Sequence, residues 1–286
     1  MFKDILVHLD DGPRSSTRLK VAVDLARRFG AHLTGIFVLD IPGSDLFYGA
    51  GMPYAGGGGG MSEMVNSLRA DQGARADLLA QEFHEAVRLQ GLENEWRLVE
   101  GDTVSLLALH ARYADLTVVG QPNADEPYKG PSADAVLVNV MLSSGRPIIA
   151  VPYAGEFERI GDRVLVAWNA SREATRSVND ALPLLQQAKA VTVLAVNPRH
   201  GIEGHGDVPA ADICLHLARH GVKAEAAHTV AKDISEGDAL LSYAADIGVD
   251  LIVTGGYGHS RAREMVFGGV TRTLLQEMTV PMLMSH

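Results

Sequence analysis

Apolar residues along this chain fall into two alternating patterns. A short run, Ile5–Asp10, is apolar apart from His8 and its polar last residue, which is typical of a strand covered on both faces. It is followed by Leu19, Ala22, Val23 and Ala26, which stand at the i, i+3, i+4 and i+7 positions of a helix. Strand and helix patterns alternate in this way along the chain, which predicts an α/β fold with a parallel sheet.

The same order of patterns occurs twice. The run Ile5–Asp10 reappears as Val164–Asn169, and a second helical stripe follows it. The residues of that stripe are Val178, Ala181, Leu182 and Leu185. Three further pairs match in order: Leu33–Leu39 with Val191–Val196, Asp115–Gly120 with Asp250–Gly255, and Pro147–Val151 with Pro281–Ser285. We therefore predict two tandem, doubly wound parallel-sheet domains of Rossmann-like type, residues 1–153 and 163–286, joined by the polar segment Ala154–Asp162.

Glycine-rich segments and serines mark the predicted loops and helix starts. Gly49–Gly60 ends in five consecutive glycines and predicts a mobile loop after the second strand. Pro198–Pro209 is the corresponding loop of the second repeat. Serine oxygens accept hydrogen bonds from the free N–H groups at helix starts. The serines placed to cap the following helices are Ser15 or Ser16, Ser62 and Ser171.

Charge and composition narrow the classes of function. The formal net charge is −10, which argues against a role for the whole chain on nucleic acid or on an anionic membrane surface. Neither a signal-peptide pattern nor an apolar run of membrane-spanning length is present, so we expect a cytoplasmic protein. The single cysteine, Cys214, excludes a disulfide within the chain.

Glycines follow the strand Leu251–Thr254 at a spacing that suits a phosphate. The chain reads Gly255–Gly258, then nine residues, then Gly268–Thr271, where a helix is predicted to begin. In open α/β sheets ligands lie beyond the carboxyl ends of the strands. Glycine lets the backbone approach a phosphate, and a helix start presents N–H donors. An anionic, phosphate-bearing ligand is therefore expected. We call four residues the glycine frame: Gly255, Gly258, Gly268 and Gly269.

This arrangement resembles the universal stress protein family, whose nucleotide-binding members carry Gly-x2-Gly-x9-Gly-(Ser/Thr) here. Gly255, Gly258 and Gly268 match in spacing, while Gly269 stands where the family has Ser or Thr. In the family, an acidic residue at the end of the first strand meets the adenine and ribose side of ATP. Asn169 occupies that position and can both donate and accept hydrogen bonds. The resemblance covers nearly the whole chain, as a tandem member.

The resemblance implies that the second half binds ATP or a related adenine nucleotide, with or without Mg²⁺. His259 directly follows Gly258 and is expected to reach the β- or γ-phosphate, whereas Arg261 and Arg263 fit a solvated loop equally well. The alternative for the glycines is a purely steric role in turns and helix packing. The implied nucleotide contacts are Asn169, Val196, Thr254, Gly255, Gly258, His259, Gly268, Gly269, Val270 and Thr271.

The first half keeps a different part of the family pattern. It has the acidic residue, Asp10, and it keeps Gly120, but Gln121–Asn123 replaces the glycine turn. Asp134 and Ala135 stand where the second half has Gly268 and Gly269. A carboxylate at the start of a phosphate-binding helix would repel phosphate. We therefore predict that the first half does not bind ATP in the manner of the family, and that its pocket near Asp10 is either structural or suited to another ligand.

The last strand of each repeat is predicted to be a sheet edge. Exposed edges are usually paired or covered, and members of the family often dimerise through this strand. The resemblance therefore implies a pseudo-dimer within the chain, formed by Pro147–Val151 and Pro281–Ser285. A further homodimer stays open.

The leading functional hypothesis is a nucleotide-binding universal stress protein with a role in stress response or signalling. At most slow hydrolysis is expected, because no general base is identifiable beside the glycine frame. The alternative is a nucleotide-free scaffold of the same fold that docks other proteins, which Asn169 and Gly269 favour. Neither a P-loop nor a dinucleotide fingerprint is present, and His200 and His205 match no zinc spacing, so no metal site is expected.

Overall fold

The computed structural model describes residues 1–41, 59–121, 133–198, 208–256 and 269–286. Strands and helices alternate along this part of the chain. The strands are β1 (Asp4–His8), β2 (His32–Leu39), β3 (Asn94–Glu100), β4 (Leu116–Gly120), β5 (Ile148–Val151), β6 (Arg163–Ala167), β7 (Ala190–Val196), β8 (Ala224–Thr229), β9 (Leu251–Gly255) and β10 (Met282–Ser285). The helices are α1 (Ser15–Phe29), α2 (Gly59–Gln90), α3 (Thr103–Ala111), α4 (Ala133–Ser144), α5 (Arg172–Leu185), α6 (Ala211–Arg219), α7 (Glu236–Asp246) and α8 (Gly269–Glu277).

The first compact unit, Phe2–Ser144, is a parallel sheet with helices packed on it. Its strand order is β3-β2-β1-β4. On the central strand, Ile5 pairs with Leu33 on one side and with Leu116 on the other. These three side chains are at most 1% exposed. Burial on both faces of the sheet explains why its strands are continuous apolar runs in the sequence.

The second compact unit comprises Gly145–His286. Its strand order is β5-β10-β9-β6-β7-β8, and β6 is parallel to β7 and β9. Strand β5, the last strand of the first repeat in sequence, runs antiparallel to β10, with Ile149 opposite Leu283. The predicted pairing of the two last strands is therefore confirmed. The predicted linker, 154–162, lies inside this unit, so the sequence repeat and the compact unit divide the chain at different places.

The α/β, doubly wound architecture predicted from the repeat is confirmed. In the first unit the chain moves outward from β1 to β2 and β3 and then returns to β4 on the other side of β1. The second unit repeats this order from β6 through β7 and β8 to β9. Each unit therefore has a topological switch point, between β1 and β4 and between β6 and β9. Crevices that bind ligands form at such points, beyond the carboxyl ends of the strands.

The predicted helix caps have mixed outcomes. Ser171 caps α5 as predicted, because its hydroxyl accepts a hydrogen bond from the N–H of Ala174 at 3.1 Å. Ser15 does not cap α1, since the hydroxyl contacts Asp10 and Arg18 instead. Helix α2 begins at Gly59, so Ser62 lies within the helix rather than before it. Most of the two predicted glycine-rich loops lies outside the described residues.

None of the helices in the described ranges combines the length and the apolar character needed to cross a bilayer.

Candidate functional site

The candidate site is the crevice at the switch point between β6 and β9. Both strands end at the same edge of the sheet because they are parallel. Helix α8 connects β9 to β10, which is parallel to β9, so α8 runs back along the sheet and starts at this same edge. The described residues among those assigned to the nucleotide therefore lie on four elements: the ends of β6, β7 and β9 and the start of α8.

Asn169 lies just beyond the end of β6 and is exposed. Its side-chain oxygen accepts a hydrogen bond from the N–H of Ser171 at 3.1 Å, which forms a turn that leads into α5. The first unit repeats this turn, with Asp10 accepting from the N–H of Gly12 at 2.9 Å. Part of the acceptor capacity of Asn169 is therefore already used to shape the backbone.

Gly255 at the end of β9 is required by close helix packing. A Cβ atom at this position would lie 2.5 Å from the backbone N of Ala174 and 2.8 Å from the Cβ of Glu173, at the start of α5. Those atoms belong to a helix start and have little freedom to move. The hydroxyl of the neighbouring Thr254, which is 6% exposed, donates to the Gly255 carbonyl at 3.2 Å. The steric explanation therefore accounts for Gly255 without a ligand.

The next residue, Gly256, is anchored to the end of β10. Its N–H donates to the carbonyl of Ser285 at 2.9 Å. Its carbonyl oxygen lies 3.0 Å from Nδ1 of His286. These two contacts fix the direction in which the chain leaves β9 and enters the glycine-rich segment.

The start of α8 presents an accessible backbone. Gly269 and Val270 are exposed, whereas Thr271 is 7% exposed. A Cβ atom added at Gly269 would meet nothing within 4 Å, so there is open space in front of this residue. The free N–H groups of a helix start attract anions. The predicted contacts Gly258, His259 and Gly268, with Arg261 and Arg263, lie outside the described residues.

Two residues that the sequence analysis missed lie on the β7 side of the crevice. Asn197 follows the half-buried Val196 in a left-handed backbone conformation, with φ at +46°. Its side-chain nitrogen donates to Oε1 of Glu236 at 3.2 Å, and its oxygen accepts from the N–H of Ala231 at 2.9 Å. An Asn directly after a strand was the available signal, because Asn tolerates this conformation better than most residues.

The corresponding crevice of the first unit is filled by an arginine. Arg18, on α1, is 4% exposed and donates from Nη2 to Oδ1 of Asp10 at 2.5 Å and from Nε to the carbonyl of His8 at 3.0 Å. A Cβ atom at Gly120, the last residue of β4, would overlap with Nη1 of Arg18. The guanidinium therefore lies between the ends of β1 and β4. The pocket expected near Asp10 is occupied by the protein itself.

Burial and charge set the ionisation of this cluster. Burial opposes ionisation of Asp10, but the adjacent guanidinium and hydrogen bonds from Arg18 and Gly12 hold the pKa of Asp10 well below its usual range. Burial lowers the pKa of His8 to about 4, although the Asp10 carboxylate acts in the opposite direction. At neutral pH the cluster thus contains a carboxylate, a guanidinium and a neutral imidazole.

Among the described residues, no group of three or more His, Cys, Asp or Glu side chains is arranged to hold a metal ion. His200 and His205, considered in the sequence analysis, lie outside those residues.

Comparison with known proteins agrees with this architecture. A family model for the universal stress protein family matches residues 161–286. This second half, residues 161–286, belongs to the universal stress protein family. The resemblance predicted from the glycine frame is thereby confirmed. No curated protein matches the sequence significantly.

Solved structures extend the likeness to the first half of the chain. A universal stress protein from Archaeoglobus fulgidus DSM 4304 matches with a TM-score of 0.70 at 16% identity, over 99% of this chain and 97% of that chain. A functionally unknown protein from Pseudomonas aeruginosa PAO1 matches with a TM-score of 0.56 at 13% identity, over 99% and 92% of the two chains. At these identities the likeness establishes the fold, including its tandem arrangement.

Proposed function

We propose that the second half of this universal stress protein binds ATP or a related adenine nucleotide in the crevice between β6 and β9. The observation that carries the proposal is the exposed start of α8 at the switch point, with open space in front of Gly269. A helix start at this place supplies N–H donors and the positive end of a helix dipole to a phosphate. The glycine frame has the spacing found in the nucleotide-binding members that the chain resembles.

In this proposal the triphosphate lies toward α8 and the adenine lies toward β6 and β7. Gly258, His259, Gly268, Gly269 and Thr271 then belong to the phosphate end. At the adenine end are Asn169, which keeps its side-chain amide at the surface, and Val196, which is half-buried at the end of β7. Gly255, Thr254 and Val270 border the crevice between the two ends.

The proposed role is binding and signalling, as part of a stress response, with at most slow hydrolysis. Hydrolysis needs a general base that activates the attacking water, and such a group must lie within hydrogen-bonding reach of it. The described residues that we assign to the nucleotide are one asparagine, two threonines, two glycines and two valines, and none of them has a carboxylate or an imidazole. Retention of bound ATP, rather than turnover, is therefore the property to measure.

The test is calorimetric titration of the purified full-length chain with ATP, with and without Mg²⁺, for the wild type and for Gly258→Asp and Gly268→Asp. Each substitution places a carboxylate where phosphate is proposed to lie, and like charges at close range repel. We expect each to weaken ATP binding by at least roughly tenfold, the effect of about 1.4 kcal/mol.

The matched control is Asn123→Asp, because Asn123 stands in the first half where Gly258 stands in the second. It adds the same charge to the chain and should leave ATP binding unchanged. Undiminished binding in both glycine variants would remove the proposed site. If the wild type does not bind ATP and releases no nucleotide on denaturation, the nucleotide-free scaffold is the better description.

A further inference from the structure

Glu236 and Asn197 form a polar pair at the mouth of the proposed site. Glu236 is the first residue of α7, and its Oε1 accepts the hydrogen bond from the Asn197 amide at 3.2 Å. Asn197 in turn holds the N–H of Ala231. The carboxylate is exposed to solvent, while its direction is set by a side chain fixed at the end of β7.

The start of α7 lies beside the start of α8. A Cβ atom at Gly237 would lie 2.8 Å from the Cβ of Thr273 and 3.4 Å from the carbonyl oxygen of Val270. Glu236 therefore belongs to the same corner of the unit as the helix start proposed for phosphate. Strand β7 is the immediate neighbour of β6 in the sheet, so the Asn197 side of this pair adjoins the adenine end.

The ribose of a nucleotide in this crevice requires an acceptor for its hydroxyl groups. Asn169 carries no charge, and its side-chain oxygen is already used by the N–H of Ser171. A carboxylate accepts several hydrogen bonds at once. In other doubly wound domains, an acidic residue near the phosphate-binding unit accepts from a ribose hydroxyl. Glu236 brings a carboxylate to this corner, and it is hydrogen-bonded to the Asn197 amide at the end of β7.

We propose that Glu236, oriented by Asn197, accepts the hydrogen bonds of the ribose hydroxyls and makes the site selective for ribonucleotides over deoxyribonucleotides. This inference rests on the proposed function, because it concerns the same crevice. It assigns to Glu236 an acceptor role for which the side-chain oxygen of Asn169 has only part of its capacity left. Asn197 is then a positioning residue, which acts only through Glu236.

A structural role for Glu236 makes a different prediction. Carboxylates in the first turn of a helix stabilise it through the helix dipole. Asp238 lies in the same turn and accepts a hydrogen bond from the hydroxyl of the cap residue Ser235 at 2.8 Å. Asp238→Asn therefore removes the same charge from the same turn of α7, and it is a matched control for Glu236→Gln.

The experiment compares the affinities of ATP, 2′-deoxy-ATP and 3′-deoxy-ATP for the full chain by calorimetric titration. We expect the wild type to prefer ATP over at least one deoxy analogue by roughly tenfold, the effect of losing one hydrogen bond to a charged group. Glu236→Gln should reduce that preference to less than about threefold and leave the affinity for the deoxy analogue nearly unchanged. Asp238→Asn should keep the wild-type preference.

The outcomes separate this inference from the proposed function. Equal binding of all three nucleotides by the wild type would leave the nucleotide site standing and overturn the role of Glu236. The role of Glu236 would also be overturned if the Glu236→Gln variant kept the preference for ATP over the deoxy analogue. It would equally be overturned if Asp238→Asn lost that preference to the same extent as Glu236→Gln. Absence of ATP binding by the wild type would instead contradict the proposed function itself.

Discussion

The two switch-point crevices of this chain have the same strand order and different contents. Beyond β1 and β4 the guanidinium of Arg18 fills the space against Gly120. The position equivalent to Arg18 on α5 is Ser177, whose hydroxyl donates to the carbonyl of Ala174 within its own helix. Beyond β6 and β9 the helix backbone itself packs on Gly255. The side chain of Arg18 thus determines whether a charged group occupies the first crevice.

This difference shows that two units with the same strand order can differ in what occupies the switch point. In the first unit the acidic residue of the family pattern is kept, but its charge is neutralised internally by Arg18. In the second unit the acid is replaced by Asn169, which forms the same turn without a charge to neutralise. The backbone geometry is common to both units, and the electrostatics are not.

The largest expected effect comes from adding a methyl group at the two equivalent glycines. Gly255→Ala should cost about 3 kcal/mol of stability, because the new Cβ meets helix backbone that cannot move aside. Gly120→Ala should cost about 1 kcal/mol, because the atom that it meets is the end of a flexible arginine. Urea unfolding measures the stability of both variants. Trp96 lies in the first unit and Trp168 in the second, so replacing one of them by Phe leaves a fluorescence signal that reports the unfolding of the other unit alone.

The control for this comparison is removal of the arginine. Gly120→Ala in an Arg18→Ser background should add little further destabilisation, since the obstructing side chain is gone. Equal costs for the two alanine substitutions in the wild-type background would contradict the different packing of the two crevices.

Arg18→Ser gives the first crevice the residue found in the second. It leaves Asp10 without its cationic partner, and we expect a loss of about 2 kcal/mol, below the range for fully buried pairs because the Asp10 side chain is 26% exposed. Adding Asp10→Asn to the Arg18→Ser variant should recover much of this loss, because the double variant has the neutral turn that Asn169 forms in the second unit. Urea unfolding of the first unit measures both variants, and failure of the second substitution to restore stability would contradict a role for charge.

The repeat made the fold predictable from the sequence. The matching positions Asp115 and Asp250 illustrate why: each carboxylate accepts backbone N–H groups at the start of the central strand, Lys3 and Asp4 in the first unit and Gly161 to Arg163 in the second. Such local hydrogen-bonding residues recur at the same place in each repeat. They therefore appear in the sequence as matched residues, even where the sequence does not show which groups they bind.

The contents of the crevices were less predictable. Arg18 lies on a helix whose apolar stripe faces the sheet, and nothing in the stripe indicates that a long polar side chain reaches inward. Likewise, Asn197 and Glu236 are far apart in sequence and meet only because β7 ends where α7 begins. Contacts that depend on side-chain length and on folding of distant segments leave no periodic pattern.

The third prediction concerns pH and distinguishes His8 from its counterpart, Ala167. Folded His8 stays neutral down to a pKa of about 4, whereas in the unfolded chain it takes up a proton near 6.5. Its contribution to stability is therefore complete above pH 6.5 and is lost as the pH falls toward 4. Between pH 7 and pH 5 the first unit should lose about 2 kcal/mol from this group.

His8→Ala should remove that part of the pH dependence, even if it lowers the stability at pH 7. Urea midpoints of the first unit at the two pH values measure the difference between the wild type and the variant. The second unit serves as an internal reference, since it has Ala167 at this position. The same loss between pH 7 and pH 5 in both proteins would exclude His8 as its source.

The smallest expected effect restores the family pattern in the second crevice. Gly269→Ser adds the missing hydroxyl at the start of α8, and the open space in front of this residue accepts a Cβ without displacement of neighbours. One added hydrogen bond to a phosphate should strengthen ATP binding by about fivefold, with little change in stability. Calorimetric titration measures the affinity, and Ala at the same position is the control, because it adds the Cβ without the hydroxyl. If Ser and Ala change the affinity equally, the hydroxyl makes no contact with phosphate, and the phosphate end of the proposed site must lie elsewhere than at Gly269.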